Sequence, residues 1–309
     1  ESRRCLRVAV FERGRELLPG SFPETAEAAL KQVHVTLHSK KDPVGNASPP
    51  APIEAGSRLA LIDIRAFQDV IVVQGCGLGG TSLINANVVI EADQKIYDSD
   101  RWPTAILEDF KENGDAGRPM NQYFNRAREK IGAATYPDNW PQLTKLEALK
   151  YATKRKTPIA VSFEEREHSK TGYVQPPCNL CGNCCSGCNT GAKNTVNTNY
   201  IADAWAHGAD IFTGMTVTHV EKAPKRADST HRYVVYYKPT DELAEPNTWR
   251  AAGDRFVLAD RVVLGAGSLG STEILLRSAG KLPVSERLGD HYSGNGDSLG
   301  AATGITRKV

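Results

Sequence analysis

The chain has 309 residues, of which 40% are hydrophobic and 24% are charged, and its formal net charge at pH 7 is only +2. These values are typical of a globular protein with a core of its own, and the small net charge argues against a nucleic-acid-binding surface. No apolar run of the sequence approaches the roughly 18 to 20 residues that a membrane-spanning helix needs. We therefore expect no transmembrane segment, no nucleic-acid partner and a small-molecule ligand.

The first 75 residues contain two strand signals and one helix signal. The run LRVAVFERGR at 6–15 is short, apolar and rich in valine, and it predicts a buried parallel strand that ends at the acidic residue Glu12. The segment PETAEAALKQV at 23–33 has a helical composition, whereas 39–57 is rich in Pro, Gly and Ser and predicts a surface loop. The apolar run DVIVVQG at 69–75 predicts a second strand.

Helix signals dominate from 102 to 156, and strand signals return after residue 209. Mixed charges on the outer faces and a proline in a first turn indicate a helical insertion in the middle of the chain. After a cysteine-rich loop, the segment 197–209 has apolar residues at helical spacing, and the segments beyond it alternate with the two-residue period of strands. The pattern predicts an α/β fold with added antiparallel strands.

The segment GAGSLG at 265–270 has the spacing G-x-G-x-x-G and lies between the apolar run RVVL and a helix signal. In that motif Gly265 allows a tight turn, Gly267 lets the backbone approach a phosphate or an adenine, and Gly270 lets helix and strand pack closely. An ordinary strand-to-helix turn would also explain these glycines, because no strand with an acidic end follows about 20 residues later. The predicted strand that ends in an acidic residue is instead the one that ends at Glu12, near the start of the chain.

A second glycine-rich turn, GCGLGGTSLINANV at 75–88, directly follows the predicted strand at 69–75. Such a segment can present consecutive backbone N–H groups to a pyrophosphate, while Ser82 and Asn85 supply side-chain hydrogen bonds. Two turns of this kind in one chain favour a dinucleotide cofactor over coincidence.

The segment CNLCGNCCSGC at 178–188 contains five of the seven cysteines. The four that follow the ferredoxin spacing C-x2-C-x2-C-x3-C are Cys178, Cys181, Cys184 and Cys188. Four thiolates could hold a [4Fe–4S] cluster or a tetrahedral zinc ion, but a ferredoxin loop has proline after its last cysteine, where this chain has Asn189. We favour structural thiols and assign no metal.

The odd number of cysteines favours a reducing, intracellular compartment over a disulfide framework.

Five segments of the chain resemble successive signature blocks of the glucose–methanol–choline (GMC) flavin oxidoreductases. In chain order they are VAVFERGRELLPGSFPET, QGCGLGGTSLINANVVIEAD, CNLCGNCCSGCNTGAKNTVNTNYI, VVLGAGSLGSTEILLRS and HYSGNGD. They occur in the family's order from residue 8 to 300, and GAGSLGSTEILLRS and GLGGTSLINA are specific signals rather than generic glycine runs. Within the family, the chain is most similar to the cholesterol oxidase branch.

The resemblance implies that the chain binds FAD and indicates which residues contact it. Glu12 would hydrogen-bond the adenosine ribose, 75–82 would line the pyrophosphate and ribityl chain, and 85–87 would lie against the isoalloxazine. Val217 would contact adenine through its backbone. The implied contacts are Glu12, Arg13, Gly14, Gly75, Gly77, Gly79, Gly80, Thr81, Ser82, Asn85, Ala86, Asn87, Val217, Gly265, Ala266, Gly267, Asn295, Gly296 and Asp297. We expect Glu12 and both glycine-rich turns to converge on one FAD molecule.

The resemblance also implies the domain organisation and the activity. A Rossmann-type FAD-binding domain would be formed by 1–100 and 200–309, with the helical insertion and the cysteine loop at 101–199 between its two parts. The implied reaction is oxidation of the hydroxyl group of a sterol or another hydrophobic alcohol. Hydride would pass to flavin N5 and then to oxygen or another acceptor, without a metal in the chemistry.

Two parts of the family pattern have no counterpart in these 309 residues: the first strand with its G-x-G-x-x-G, and the catalytic His and Asn. We therefore expect an incomplete chain, or one completed by a companion chain, and assign no catalytic residue. Three other interpretations stay open. They are a relative that binds a ligand or partner without redox turnover, a member that uses FAD in a lyase or isomerase reaction, and an iron–sulfur electron carrier.

Overall fold

The computed structural model of the chain describes residues 6–38, 52–111, 119–168, 172–224, 231–240 and 255–295. Its strands are β1 (Ala9–Phe11), β2 (Val33–Leu37), β3 (Ile53–Ala55), β4 (Ile62–Ala66), β5 (Ile71–Gly75), β6 (Arg166–His168), β7 (Tyr173–Gln175), β8 (Asp210–Phe212), β9 (Met215–Lys222), β10 (Tyr233–Pro239) and β11 (Arg255–Ala259). Its α-helices are α1 (Ala26–Leu30), α2 (Thr104–Lys111), α3 (Pro119–Lys130), α4 (Thr144–Thr153), α5 (Ala202–Ala206) and α6 (Gly267–Arg277). This mixture of helices and strands confirms the predicted α/β class.

The chain forms two compact units. The first unit contains the described parts of 1–16, 31–80 and 210–308, and the second contains those of 17–30 and 81–209. The role of each unit in cofactor binding stays a prediction.

The predicted strand before Glu12 is present in the first unit, but the prediction that it is buried is wrong, because Ala9 is exposed and Val10 and Phe11 are half-buried. It is β1, which pairs in parallel with β8 so that Ala9 lies opposite Asp210 and Phe11 opposite Phe212. Parallel pairing requires a long connection between the two strands, and here nearly 200 residues separate them. A parallel pair is one requirement of a Rossmann-type sheet, and the complete Rossmann topology stays a prediction.

A four-stranded mixed sheet in the first unit has the order β3-β2-β4-β5. β2 and β4 are parallel, whereas β3 pairs antiparallel with β2 and β5 antiparallel with β4. The predicted strand at 69–75 is β5. The predicted loop at 39–57 is wrong at Ile53–Ala55, because these residues satisfy their backbone hydrogen bonds by pairing with β2. Residues 39–51 of that loop lie outside the described part of the chain.

Strands β9, β10 and β11 form an antiparallel sheet with β10 in the centre, as the alternating pattern predicts. Helix α6 packs against this sheet, and Val220, Val235 and Ile274 form a buried cluster between them. Burial of each such side chain contributes about 1.5–3 kcal/mol. The cluster therefore fixes the position of α6 on the sheet.

The predicted strand RVVL at 261–264 is not a strand in the structure. The strand of this region is β11, and no described strand pairs with the residues that follow it. A ladder needs a neighbouring strand that exchanges hydrogen bonds, and the apolar pattern alone cannot supply one. Val262 and Leu264 still pack on the buried cluster while Val263 is 92% exposed, so the side chains alternate as in a strand.

The second unit contains the predicted helical region with α2, α3 and α4, followed by the antiparallel hairpin of β6 and β7. The predicted helix at 197–209 begins with a π-helical turn, Asn197–Ile201, and continues as α5. Gly208, with φ of 85°, follows its end. Across the described ranges, no helix is both long enough and apolar enough to span a membrane.

Candidate functional site

Glu12 directly follows β1, where the sequence predicts it. Its N–H donates to the carbonyl of Phe212 at 2.8 Å, and the N–H of Met215 donates to the carbonyl of Glu12 at 2.9 Å. These two bonds hold the backbone of Glu12 beside the end of β8. One carboxylate oxygen of Glu12 accepts a hydrogen bond from the N–H of Gly14 at 2.7 Å, which closes a turn around Arg13.

The Glu12 carboxylate lies in a partly buried environment beside two backbone N–H donors. Burial raises the pKa of Glu12, and the N–H of Gly14, the charge of Arg13 and the N–H of Gly77 oppose that rise. An ionised carboxylate has about four acceptor positions. With Gly14 and Gly77 as backbone donors, positions remain for hydroxyl groups such as those of a ribose.

The turn after β1 packs tightly against the glycine-rich turn after β5. A Cβ atom built on Gly14 would lie 2.5 Å from the nitrogen of Gly77 and 2.8 Å from the sulfur of Cys76. Gly77, Gly79 and Gly80 have φ angles of 144°, 110° and 57°, which strongly favour glycine. Backbone geometry therefore requires these predicted glycines, and the structure brings the two turns together.

Internal hydrogen bonds fix the turn at 75–80. The N–H of Cys76 donates to the carbonyl of Leu61 at 2.8 Å, and the N–H of Leu78 donates to the carbonyl of Arg15 at 3.0 Å. Both bonds use N–H groups of the turn within the protein, so these two groups do not face a ligand. Contact of the turn with a pyrophosphate stays a prediction.

We expect Gly14→Ala to lower the free energy of unfolding by about 1–3 kcal/mol, because the new methyl group overlaps backbone atoms of Gly77 that cannot move aside cheaply. Gly265→Ala is the matched control, since no heavy atom lies within 4 Å of a Cβ built there. Urea unfolding of both variants, followed by circular dichroism, measures the difference. Equal unfolding midpoints would argue against the close approach of the two turns.

Arg13, another predicted contact, is bound to a buried carboxylate. Its Nη2 donates to Oδ2 of Asp63 at 2.8 Å, and Asp63 is fully buried. The Asp63 carboxylate also meets Nδ1 of His34 at 3.0 Å, Nε2 of Gln74 at 2.9 Å and Nε of Arg65 at 3.2 Å. Burial alone would raise the pKa of Asp63. The hydrogen bond with His34, the charge of Arg13 and the contacts with Gln74 and Arg65 outweigh burial and hold that pKa well below its usual value.

In the second unit, the predicted contacts at 81–87 are fixed by hydrogen bonds to other segments. The hydroxyl oxygen of Ser82 accepts from the N–H of Val196 at 2.9 Å. The carbonyl of Asn87 accepts from the N–H of Ala160 at 2.8 Å. These bonds tie both ends of the segment to the body of the unit.

Asn87 is buried and has an unpaired polar atom. It is 4% exposed, and its φ of 65° lies in the left-handed region. Its side-chain Oδ1 is buried and has no hydrogen-bond partner among the described residues. A buried polar group left in this state costs about 1–3 kcal/mol, and an N–H donor on a ligand would remove that cost. The neighbouring predicted contacts Asn85 and Ala86 are exposed.

A buried lysine, which the sequence analysis did not identify, holds the same segment. Lys193 is 2% exposed, and its ammonium donates to the carbonyls of Leu83 at 3.0 Å, Asn85 at 2.8 Å and Cys184 at 2.8 Å. Burial lowers the pKa of Lys193 to about 8, although nearby cysteine thiols act in the opposite direction. Lys193 thus ties the backbone of the predicted flavin segment to the cysteine loop. No local sequence signal distinguishes it from an exposed lysine.

Val217, the predicted adenine contact, lies in β9 at the edge of the antiparallel sheet. It pairs with Tyr237 of β10, and the register then skips Thr218, which places a bulge directly after Val217. A bulge bends the strand and increases its twist. Among the described strands, β9 pairs only with β10, so one side of its backbone lies outside the sheet.

The predicted contacts Gly265, Ala266 and Gly267 lie at the start of α6. Gly267 has φ of 72°, a conformation that favours glycine. No heavy atom lies within 4 Å of a Cβ built on Gly265 or Gly267, so a ligand can approach this backbone closely.

The last predicted contacts are only partly covered by the structure. Asn295 is exposed at the end of the described residues, while Gly296 and Asp297 lie outside them. The convergence of Glu12 and the turn at 265–267 on one FAD molecule stays a prediction. The contacts that the structure does bring together are the turn of Glu12 and Gly14 and the turn of Gly77.

Two cholesterol oxidases are similar to this chain over most of its length. The cholesterol oxidase of Acinetobacter baumannii is 28% identical over an alignment of 259 residues that covers 77% of this chain and 44% of that protein. The cholesterol oxidase of Mycobacterium tuberculosis (strain H37Rv) is 27% identical over an alignment of 261 residues that covers 78% of this chain and 42% of that protein. The alignments thus span less than half the length of these relatives.

A family model identifies the larger group. The N-terminal domain of the GMC oxidoreductases, which is the FAD-binding region of these flavoenzymes, matches residues 53–293. The match includes both glycine-rich turns and the cysteine loop, and it covers far more than half of the chain. The chain belongs to the GMC oxidoreductase family.

Proposed function

We propose that the protein to which this chain belongs is an FAD-dependent oxidoreductase that oxidises the hydroxyl group of a sterol or another hydrophobic alcohol. The observation that carries the proposal is the match of the GMC oxidoreductase domain to residues 53–293. The names of the two relatives, both cholesterol oxidases, support a sterol as the substrate. Oxygen, or another acceptor, takes the electrons in the second half-reaction.

In this proposal the first unit supplies contacts to the adenosine and pyrophosphate parts of FAD. The Glu12 carboxylate accepts hydrogen bonds from the ribose hydroxyls, which its remaining acceptor positions favour. The other contacts that we propose in this unit are Arg13, Gly14, Gly75, Gly77, Gly79, Gly80, Val217, Gly265, Ala266, Gly267, Asn295, Gly296 and Asp297. Open backbone at Gly265 and Gly267 is consistent with this role.

In the same proposal the second unit supplies contacts near the flavin ring. The proposed residues are Thr81, Ser82, Asn85, Ala86 and Asn87. Support comes from Asn87, whose buried Oδ1 lacks a partner among the described residues and suits an N–H donor of the ligand. Lys193 holds the carbonyls of Leu83 and Asn85 and thereby limits the movement of this segment.

The chemistry divides between cofactor and protein. Bound FAD supplies the hydride acceptor, at N5 of the flavin. The alcohol loses a hydride from its carbinol carbon and a proton from its hydroxyl group, so the protein must orient the C–H bond and accept the proton. The residues of this chain hold the cofactor in place, and no catalytic base is assigned among them.

The visible spectrum of the full-length protein tests the proposal. Bound flavin absorbs blue light, and anaerobic addition of cholesterol should bleach that absorbance, because hydride transfer reduces the flavin. Methanol is the control alcohol, and it should bleach the flavin much more slowly if the substrate is hydrophobic. Bound flavin that no alcohol reduces would contradict the oxidase reaction and favour a non-oxidative use of FAD.

Glu12→Gln tests the proposed ribose contact. We expect the affinity for FAD to fall about 10- to 100-fold, because a hydrogen bond to a charged acceptor contributes about 1.5–3 kcal/mol. Titration of the FAD-free protein, followed by quenching of flavin fluorescence, gives the dissociation constants. Glu16→Gln is the control, since Glu16 is exposed. Equal affinities of the two variants would remove Glu12 from the site.

A further inference from the structure

The cysteine loop brings four thiols to the wall of one cavity. The four are Cys178, Cys181, Cys184 and Cys188. Cys185, the fifth cysteine of the loop, is exposed and does not line the cavity. All the described cysteines are free thiols. The structure thus selects the same four residues that follow the ferredoxin spacing.

Three residues between the cysteines have a left-handed backbone conformation. Leu180, Gly182 and Gly187 have φ angles of 61°, 80° and 112°. Gly187 directly precedes Cys188. In two-cluster ferredoxins the fourth cysteine of such a run binds the other cluster, whereas Cys188 lines the same cavity as Cys178. The four cysteines can therefore act as one set of ligands.

Hydrogen-bond donors and a positive charge lie beside the sulfur atoms. The N–H of Leu180 donates to Sγ of Cys178 at 3.4 Å. Hydrogen bonds to sulfur stabilise thiolate charge and tune iron–sulfur clusters. Lys193 also lines the cavity, and its ammonium is bound to the carbonyl of Cys184 at 2.8 Å. Both groups offset negative charge that four thiolates would bring into the loop.

Two polar side chains, of which Gln175 is buried, hold the loop at its two ends. Oδ1 of Asn189 accepts from the N–H groups of Gly20 and Phe22, both at 2.9 Å, and its Nδ2 donates to the carbonyl of Phe22 at 3.0 Å. Gln175, which is fully buried, donates to the carbonyl of Gly191 at 3.1 Å. The cavity itself is small, about 20 Å³, so the cysteines between these supports must move apart to admit a cluster.

The arrangement suits a cluster better than a single metal ion. Within the described ranges, no group of three or more His, Cys, Asp or Glu side chains is placed to hold one metal ion. Zinc–sulfur bonds of about 2.3 Å would require the four sulfur atoms to lie about 3.8 Å from one another, and zinc sites usually combine two separate ligand pairs. In a [4Fe–4S] cluster each thiolate binds a different iron, so the sulfur atoms surround the cluster instead of meeting at a point.

We propose that Cys178, Cys181, Cys184 and Cys188 bind a [4Fe–4S] cluster in this cavity. Each thiol releases its proton on binding, and its thiolate replaces the terminal ligand of one iron of a preassembled cluster, so no electron is transferred in the binding step. The proposal replaces the interpretation of these residues as metal-free structural thiols. It goes beyond the proposed flavin chemistry and does not depend on it.

Iron and acid-labile sulfide analysis of the full-length protein, purified without oxygen, tests the proposal. We expect about four irons and four sulfides per chain, and an EPR signal of a reduced cluster after addition of dithionite. Cys181→Ser should abolish that signal, and because Cys181 is exposed the variant should still fold. Cys185→Ser is the matched control: it changes an exposed cysteine of the same loop and should keep the full iron content.

Three results would overturn the proposal. The first is one zinc ion per chain, the second is a folded protein that takes up no iron during anaerobic reconstitution with iron and sulfide, and the third is equal loss of iron in Cys181→Ser and Cys185→Ser. Circular dichroism of both variants separates loss of the cluster from loss of the fold. FAD content, measured on the same samples, shows whether the flavin site is affected independently.

Discussion

Asp63→Asn is expected to lower the free energy of unfolding by about 3–5 kcal/mol, because it removes the negative member of a buried charge group and leaves its cations uncompensated. Asp63 is fully buried and joins β4 to three other segments. Its partners are Arg13 after β1, His34 in β2 and Gln74 in β5. Loss of these three contacts should destabilise both the four-stranded sheet and the turn of Glu12.

The pH dependence of unfolding gives a second measurement on the same residue. The pKa of Asp63 is lowered in the folded chain. Its contribution to the free energy of unfolding is therefore fully present above the ordinary pKa of about 3.9, and it is lost as the pH falls towards the lower pKa of the folded chain. Wild type should therefore lose stability below about pH 4 more steeply than Asp63→Asn. Asp69→Asn, at an exposed position of the same unit, is the control. Urea midpoints at pH 7 and pH 3 that match between the two variants would refute this role.

Lys193→Met is expected to lower the free energy of unfolding by about 3–5 kcal/mol. The substitution keeps an unbranched side chain of similar length but leaves the buried carbonyl of Leu83 and the partly buried carbonyls of Asn85 and Cys184 without this donor, and a buried group left unpaired costs about 1–3 kcal/mol. Lys145→Met, at an exposed position in α4, is the control, and guanidinium unfolding measures both variants. If the two variants were equally stable, Lys193 would not be holding the segment at 83–85.

Glu12 and the glycine-rich turn at 75–80 were predictable because their signals are local. A short apolar run that ends in an acid predicts a strand end, and glycines at close spacing predict a turn with positive φ. The strands β9, β10 and β11 were predictable for the same reason, since their sequences carry the two-residue period of strands. The run at 261–264 carries a similar signal, and it failed because a strand also needs a partner, which the pattern does not encode.

Asp63 and Lys193 were not predictable because their roles depend on residues far away in sequence. Arg13 and Asp63 are 50 positions apart, and Lys193 and Leu83 are 110 positions apart. Within its own segment, Asp63 only interrupts an apolar run. The burial of Lys193 was not predictable because a lysine is exposed far more often than buried. Only the folded chain supplies the carbonyls and charges that make these two positions important.

The link between Asn189 and Phe22 has a consequence for biosynthesis. The two residues are 167 positions apart, and at about 5–20 residues per second a ribosome needs on the order of 10–30 s to complete the intervening chain. During that interval the segment at 20–24 leaves the exit tunnel without the amide that later binds it. Contacts between residues this far apart in sequence also slow folding. The cysteine loop should therefore acquire its final shape late, after its own residues have left the ribosome.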